Sequence, residues 1–161
     1  MYRFGDARLV GTEMASGAGE NSAPEPGCLM CEQSADPERK VVYDTESFVG
    51  YATPIYPWAV IVTTRRHDCD GPWALTDAEA VELGAMIPRI TDAIRKTGSE
   101  RVYVMAFNEE TLLPHFHVGF LSRYVQFSET ERSVLYGRIE NTAADLVQVA
   151  TDFAAAVRAG L

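Results

Sequence analysis

Histidine is scarce in this chain of 161 residues, which holds three of them. Cysteine is as scarce, again three. An odd count does not close into a disulfide framework, so the cysteines favour metal or thiol chemistry. Basic residues are in the minority: 14 Lys and Arg face 23 Asp and Glu, for a formal net charge of −9. They are also scattered. A surface that coats DNA or RNA needs a clustered Lys/Arg footprint, so a nucleic-acid polymer is not an expected partner. A pocket for one small anion is still compatible, because it can be locally positive or amide-rich at any net charge. No apolar run approaches the ~20 residues of a membrane span, so no membrane role is expected. The first residues lack the basic start and apolar stretch of a secretory signal, and the expected location is the cytoplasm.

What is present fits a globular protein. The apolar fraction is 47%, and a chain of this length most simply makes one domain with one core. Residues 1–27 differ from the rest, being rich in Gly, Ala, Ser, Glu and Pro. They read as an N-terminal extension, mobile or packed along the surface. Residues 28–127 read as the main domain and residues 128–161 as a helical segment packed on it.

Lys40 to Tyr43, Phe48 to Ala52 and Ala59 to Thr64 are rich in Val, Ile, Phe and Tyr and predict strands. The two prolines in Thr53-Pro54-Ile55-Tyr56-Pro57 predict a loop. Thr76-x-x-Glu79 is a capping-box pattern. Leu83, Ile87, Ile90 and Ile94 follow at helical spacing, with a kink expected at Pro88 and a stop at Gly98. Arg101 to Phe107 predicts another strand. Ser128-x-x-Glu131 opens a helical tail whose apolar face is Leu146, Ala150, Phe153 and Val157.

Two of the three histidines stand together in Pro114-His115-Phe116-His117-Val118-Gly119-Phe120-Leu121. Alternation with apolar residues predicts a strand over 115–123, with His115 and His117 on one face and Phe116, Val118 and Phe120 in the core. Paired imidazoles can bind a metal, move a proton or attack an electrophile. The competing reading is a pair of core histidines satisfied by hydrogen bonds.

Cys28 and Cys31 form C-x-x-C, which is half of a tetrahedral zinc site. The remaining ligands must come from His67, His115, His117 and Cys69. Cys28, Cys31, His67 and one strand histidine fit that inventory. The plainer reading is two thiols without a metal. Cys69 lies in His67-Asp68-Cys69-Asp70, where flanking acids raise a thiol pKa, so it reads as passive. Trp58 and Trp73 read as packing residues.

Taken together, these residues resemble the histidine-triad (HIT) family of nucleotide hydrolases and transferases, in its zinc-containing bacterial form. Gly27-Cys28-Leu29-Met30-Cys31 is similar to the family's cysteine start. Val60-Ile61-Val62-Thr63-Thr64-Arg65-Arg66-His67 is similar to the strand whose histidine binds zinc. Ile87-Pro88-Arg89-Ile90 resembles its kinked helix. His115 to Arg123 falls on H-φ-H-φ-H-φ-φ-P-R, with a degenerate third position at Gly119.

The resemblance implies an α+β, two-layer fold: an antiparallel sheet with a kinked helix and a C-terminal helix, usually in a homodimer. It implies that His117 attacks the α-phosphorus of a nucleotide and forms a covalent nucleotidyl-histidine. It also implies a closed, structural zinc site of Cys28, Cys31, His67 and His115, worth on the order of 10 kcal/mol of folding free energy. Asn108, Thr111, Gly119 and Arg123 would meet the substrate. Gly119 offers no side-chain donor, and losing one such donor commonly costs about 10²–10³ in rate. Thr53 stands where the family has a ribose-binding acid. These departures keep an alternative open: a catalytically weak or inactive HIT-fold nucleotide-binding protein that retains the zinc.

Overall fold

The computed structural model describes residues 25–36, 39–54, 56–106, 115–125 and 146–161. The N-terminal extension up to residue 24, the capping box at Ser128 and the site candidates Asn108 and Thr111 lie outside the described residues.

A short helix α1 (Leu29–Ala35) precedes three strands: β1 (Lys40–Asp44), β2 (Phe48–Thr53) and β3 (Tyr56–Thr64). A 3-10 turn at Pro72–Ala74 leads into α2 (Asp77–Lys96). Strands β4 (Arg101–Ala106) and β5 (His117–Arg123) follow, and α3 (Leu146–Gly160) ends the chain. The strands form one sheet in the order β1-β2-β3-β5-β4, with every neighbouring pair antiparallel. This is the expected α+β architecture.

Helix α2 begins as its sequence predicts. The Thr76 side chain accepts from the Glu79 N–H, and the Glu79 side chain accepts from the Thr76 N–H. Pro88 lies inside the helix, where its missing N–H leaves the Gly84 carbonyl without an intrahelical donor. Gly98, at φ +94°, takes the left-handed conformation just beyond the helix end. Ile90 and Ile94 are buried as predicted. Met86 and Ala93 join them, while Leu83 and Ile87 are partly buried against the same core.

One core lies between the sheet and the pair α2 and α3. It contains Phe48, Val60, Val62, Val118 and Phe120 from strands, and Ala150, Phe153 and Val157 from α3. Alternation along a strand then fixes the opposite face. With Val60 and Val62 in the core, Ile61 points away from α2 and α3. There it packs against Cys28, Met30 and Cys31 of the α1 segment. With Val118 and Phe120 in the core, His117, Gly119 and Leu121 belong to this second face as well. Gly119 pairs directly with Ile61, and His117 with Thr63. The buried Tyr51, opposite Ile61 on β2, donates its hydroxyl to Gln33 Oε1 of α1 at 3.2 Å.

Two strand boundaries differ from expectation. Pro57 lies within β3 rather than in a loop. It falls in the stretch where the β2–β3 register shifts, between the Thr53–Tyr56 and Tyr51–Ile61 pairs, and a missing N–H is tolerated at such an irregularity. Strand β5 begins at His117, not His115. The Phe116 N–H does not join the sheet; it donates to the Cys69 carbonyl at 2.6 Å, which ties the entry of β5 to the loop that follows β3.

Candidate functional site

Four side chains from three separate segments converge beside the second face. Cys28 and Cys31 come from the start of α1, His67 from the loop after β3, and His115 from the approach to β5. Their ligand atoms all lie within 4.8 Å of one another. Cys28 Sγ is 3.6 Å from His115 Nδ1, while Cys31 Sγ is 3.5 Å from both His115 Nδ1 and His67 Nδ1. The two rings meet nearly edge-on, with centroids 5.2 Å apart. Both cysteines and His115 are buried.

These distances can be tested against a metal. With Zn–S of about 2.3 Å and Zn–N of about 2.05 Å, tetrahedral angles place sulfur and nitrogen about 3.6 Å apart. The observed separations match. Ordinary hydrogen bonding accounts for them less well, because both sulfurs approach the single lone pair of His115 Nδ1.

The tautomer of His115 also suits a ligand. Its Nε2 lies 2.9 Å from the Thr64 carbonyl and 3.1 Å from the Thr64 hydroxyl. A carbonyl only accepts, so Nε2 carries the hydrogen and Nδ1 keeps its lone pair toward the cysteines. Burial pushes the His115 pKa down, which favours the neutral ring. Burial also pushes the Cys31 thiol up, so an incoming metal must displace its proton.

His117 is held in the opposite tautomer. Its Nδ1 lies 3.0 Å from the carbonyl oxygen of His115. That bond consumes the Nδ1 hydrogen and leaves a lone pair on Nε2. His117 is not part of the four-residue cluster.

Gly119 lies two residues further on the same face. A Cβ built there would be 2.9 Å from Leu121 Cδ1 and 3.6 Å from Ile61 Cδ1. Apolar groups therefore crowd the space that a side chain at this position would enter. Arg123 is at the far end of β5, six residues from His117, which is about 20 Å along a strand. Its Nη1 donates to the Tyr103 hydroxyl at 3.2 Å, and Nη2 is 3.5 Å from Glu100 Oε2.

Cys69 is fully buried with a raised thiol pKa caused by desolvation, as befits a passive thiol. What it supplies is its backbone carbonyl. Trp58 packs on the core. Trp73 is 67% exposed, with its Nε1 donating to Asp70, so it is not a core residue. Sequence reasoning missed Thr64, which orients the His115 ring. A threonine in a run of β-branched strand residues carries no signal of that role.

No family model matches this chain, and no curated protein matches it. Solved structures do. A HIT-like protein of Bartonella henselae, described as involved in cell-cycle regulation, aligns over 86% of this chain and 100% of its own, at 16% identity and a TM-score of 0.61. A zinc-bound histidine-triad family protein of Mycobacterium smegmatis aligns over 84% of this chain and 98% of its own, at 16% identity and TM-score 0.57. A uridylyltransferase mutant aligns over 83% of this chain and 48% of its own, at 16% identity and TM-score 0.61. The chain has the histidine-triad fold.

Proposed function

We propose that this chain is a nucleotide hydrolase or transferase in which His117 is the nucleophile and that a structural zinc ion supports the site. The observation that carries the reading is the Nδ1 hydrogen bond from His117 to the His115 carbonyl, which leaves Nε2 as the reactive atom. The fold shared with a uridylyltransferase supports group transfer at a nucleotide phosphorus.

In the proposed reaction the Nε2 lone pair forms a bond to the α-phosphorus. The bridging bond to the leaving group breaks, and that group departs with the bonding electrons. The Nδ1 hydrogen stays on His117, hydrogen-bonded to the His115 carbonyl, throughout. A water or acceptor hydroxyl then attacks phosphorus and loses its proton to solvent, while the P–Nε2 bond breaks and its electron pair returns to Nε2. Asn108 and Thr111 are the proposed substrate contacts, and Arg123, about 20 Å along β5 from His117, is proposed for a distal part of the substrate.

Cys28, Cys31, His67 and His115 would hold the zinc. A closed four-ligand site supplies cross-linking rather than Lewis-acid chemistry, joining α1, the loop after β3 and the entry to β5. The proposed setting is a cytoplasmic homodimer. Among the described residues, no helix is long and apolar enough to cross a membrane.

A second reading is favoured by one observation. Leu121 and Ile61 crowd position 119, which has no side-chain donor of its own. A HIT-fold nucleotide-binding protein with little catalysis accommodates that.

Incubation with adenylated anhydride and phosphoramidate substrates, quenched in denaturant at alkaline pH, separates the two. The enzyme reading expects an adenylate mass increment on wild type that His117→Ala lacks. Absence of both adduct and turnover, with retained binding of a nucleoside monophosphate, would move the assignment to the binding protein.

A further inference from the structure

The loop that presents His67 is built around a buried guanidinium. Arg66 Nε donates to Glu79 Oε1 at 2.8 Å and Nη2 to Glu79 Oε2 at 2.9 Å, a two-pronged pairing. Nη1 donates to Asp68 Oδ1 at 2.9 Å, and Nη2 also reaches the Ala74 carbonyl. Arg66 is 8% exposed and Glu79 is 7% exposed. Glu79 in turn closes the N-terminal cap of α2 through Thr76. One planar side chain thus fixes the residue after His67, the 3-10 turn and the start of a long helix.

The same segment touches the His115 side of the cluster twice. The Thr64 hydroxyl donates to the Arg66 carbonyl at 3.0 Å while accepting from His115 Nε2. The Cys69 carbonyl accepts from the Phe116 N–H. His67 lies between these two ties in the chain.

A buried ion pair is a poor device for stability alone. Its desolvation cost is large, and well-packed apolar residues often replace such a pair without loss. What it can supply is fixed geometry, and the arginine fork supplies it in three directions at once, which lysine cannot.

We infer that Arg66 and Glu79 are positioning residues for the Cys28–Cys31–His67–His115 centre, holding His67 where its Nδ1 meets the two cysteines. The inference rests on the zinc reading above. Neither residue touches a metal; they act through the backbone on both sides of His67.

The test is zinc affinity of the full-length protein by competition with a chromogenic chelator, with thermal unfolding measured alongside. Glu79→Gln keeps a polar partner for Arg66 and removes the charge. It is expected to bind zinc at least tenfold more weakly, the scale set by partners that orient metal ligands. The double variant Arg66→Met/Glu79→Leu removes the buried charges together. It is expected to keep much of its metal-free stability and still show the loss of zinc affinity. Arg66→Lys, which keeps the charge but not the fork, is expected to show the same loss. Wild-type affinity in a folded Glu79→Gln or in the double variant would overturn the inference and leave the zinc site standing. A wild-type protein that binds no zinc would overturn the zinc reading and this inference with it.

Discussion

His117 donates its Nδ1 hydrogen to the carbonyl oxygen of His115 at 3.0 Å, while the ring of His115 turns its own Nδ1 toward two cysteines. One residue thus faces two ways. Its side chain belongs to the metal cluster and its backbone holds the neighbouring imidazole. The two rings carry their hydrogens on opposite nitrogens, which suits one to ligation and the other to attack.

This division of labour separates two substitutions. His117→Ala is expected to keep a wild-type zinc content, because its side chain is outside the cluster. His115→Ala is expected to lose more than the 10–100-fold in zinc affinity typical of outer partners, since it removes a ligand. Metal analysis of both purified variants checks this. Wild-type zinc content in both would mean that His115 is not a ligand.

Zinc removal is expected to act locally before it acts globally. The Phe116 amide is tied to the Cys69 carbonyl, between segments that the metal would cross-link. Val118 and Phe120 are paired on both sides, with β3 and β4. Chelation should therefore speed hydrogen exchange at Phe116 at least tenfold and leave Val118 and Phe120 little changed. Uniform acceleration across β5 would point to global destabilisation instead.

How much of this was legible beforehand varied with the kind of signal. Cys28, Cys31 and His67 stood out because the chain has few residues that can ligate zinc. Helix α2 was legible because the capping box and the Ile90–Ile94 spacing agree with each other. The start of β5 was not. Apolar alternation runs through His115, but the Phe116 amide is claimed by Cys69, whose approach depends on the tertiary path of the loop after β3. Pro57 misled for a related reason, because proline rules assume a regular ladder and β3 has a register shift there. The Arg66–Glu79 pair was hidden by Glu79's second role as a cap. Nothing local links it to an arginine 13 residues earlier.

The same pair sets an acid limit. Burial alone would push the Glu79 carboxyl up, but Arg66 and the Thr76 groups outweigh it and hold the pKa below the usual 4.5. A carboxyl depressed in the folded state stabilises it fully above the unfolded value, and that contribution fades as pH falls through the folded value. The stability difference between wild type and Glu79→Gln should therefore be constant from pH 7 down to about pH 5 and shrink below that. Denaturant titrations of the metal-free proteins across this range check it. A difference that grows on acidification would reverse the sign and refute the pairing as described.

Position 119 offers a test by gain of function. The glycine is not required by backbone conformation, since positive φ occurs among the described residues only at Gly27 and Gly98. What limits a side chain is contact: the nearest obstacle is the flexible end of Leu121, at 2.9 Å from a built Cβ. Gly119→His alone is expected to fold with a loss of about 1–3 kcal/mol from overpacking. Pairing it with Leu121→Ala should relieve that contact and bring a donor near the proposed reaction centre. If His117 is a working nucleophile short of one donor, turnover in the double variant should rise by up to about 10²-fold over wild type. The rise should vanish when His117→Ala is added. A folded, zinc-loaded double variant with no gain would mean that the missing donor is not what limits this site.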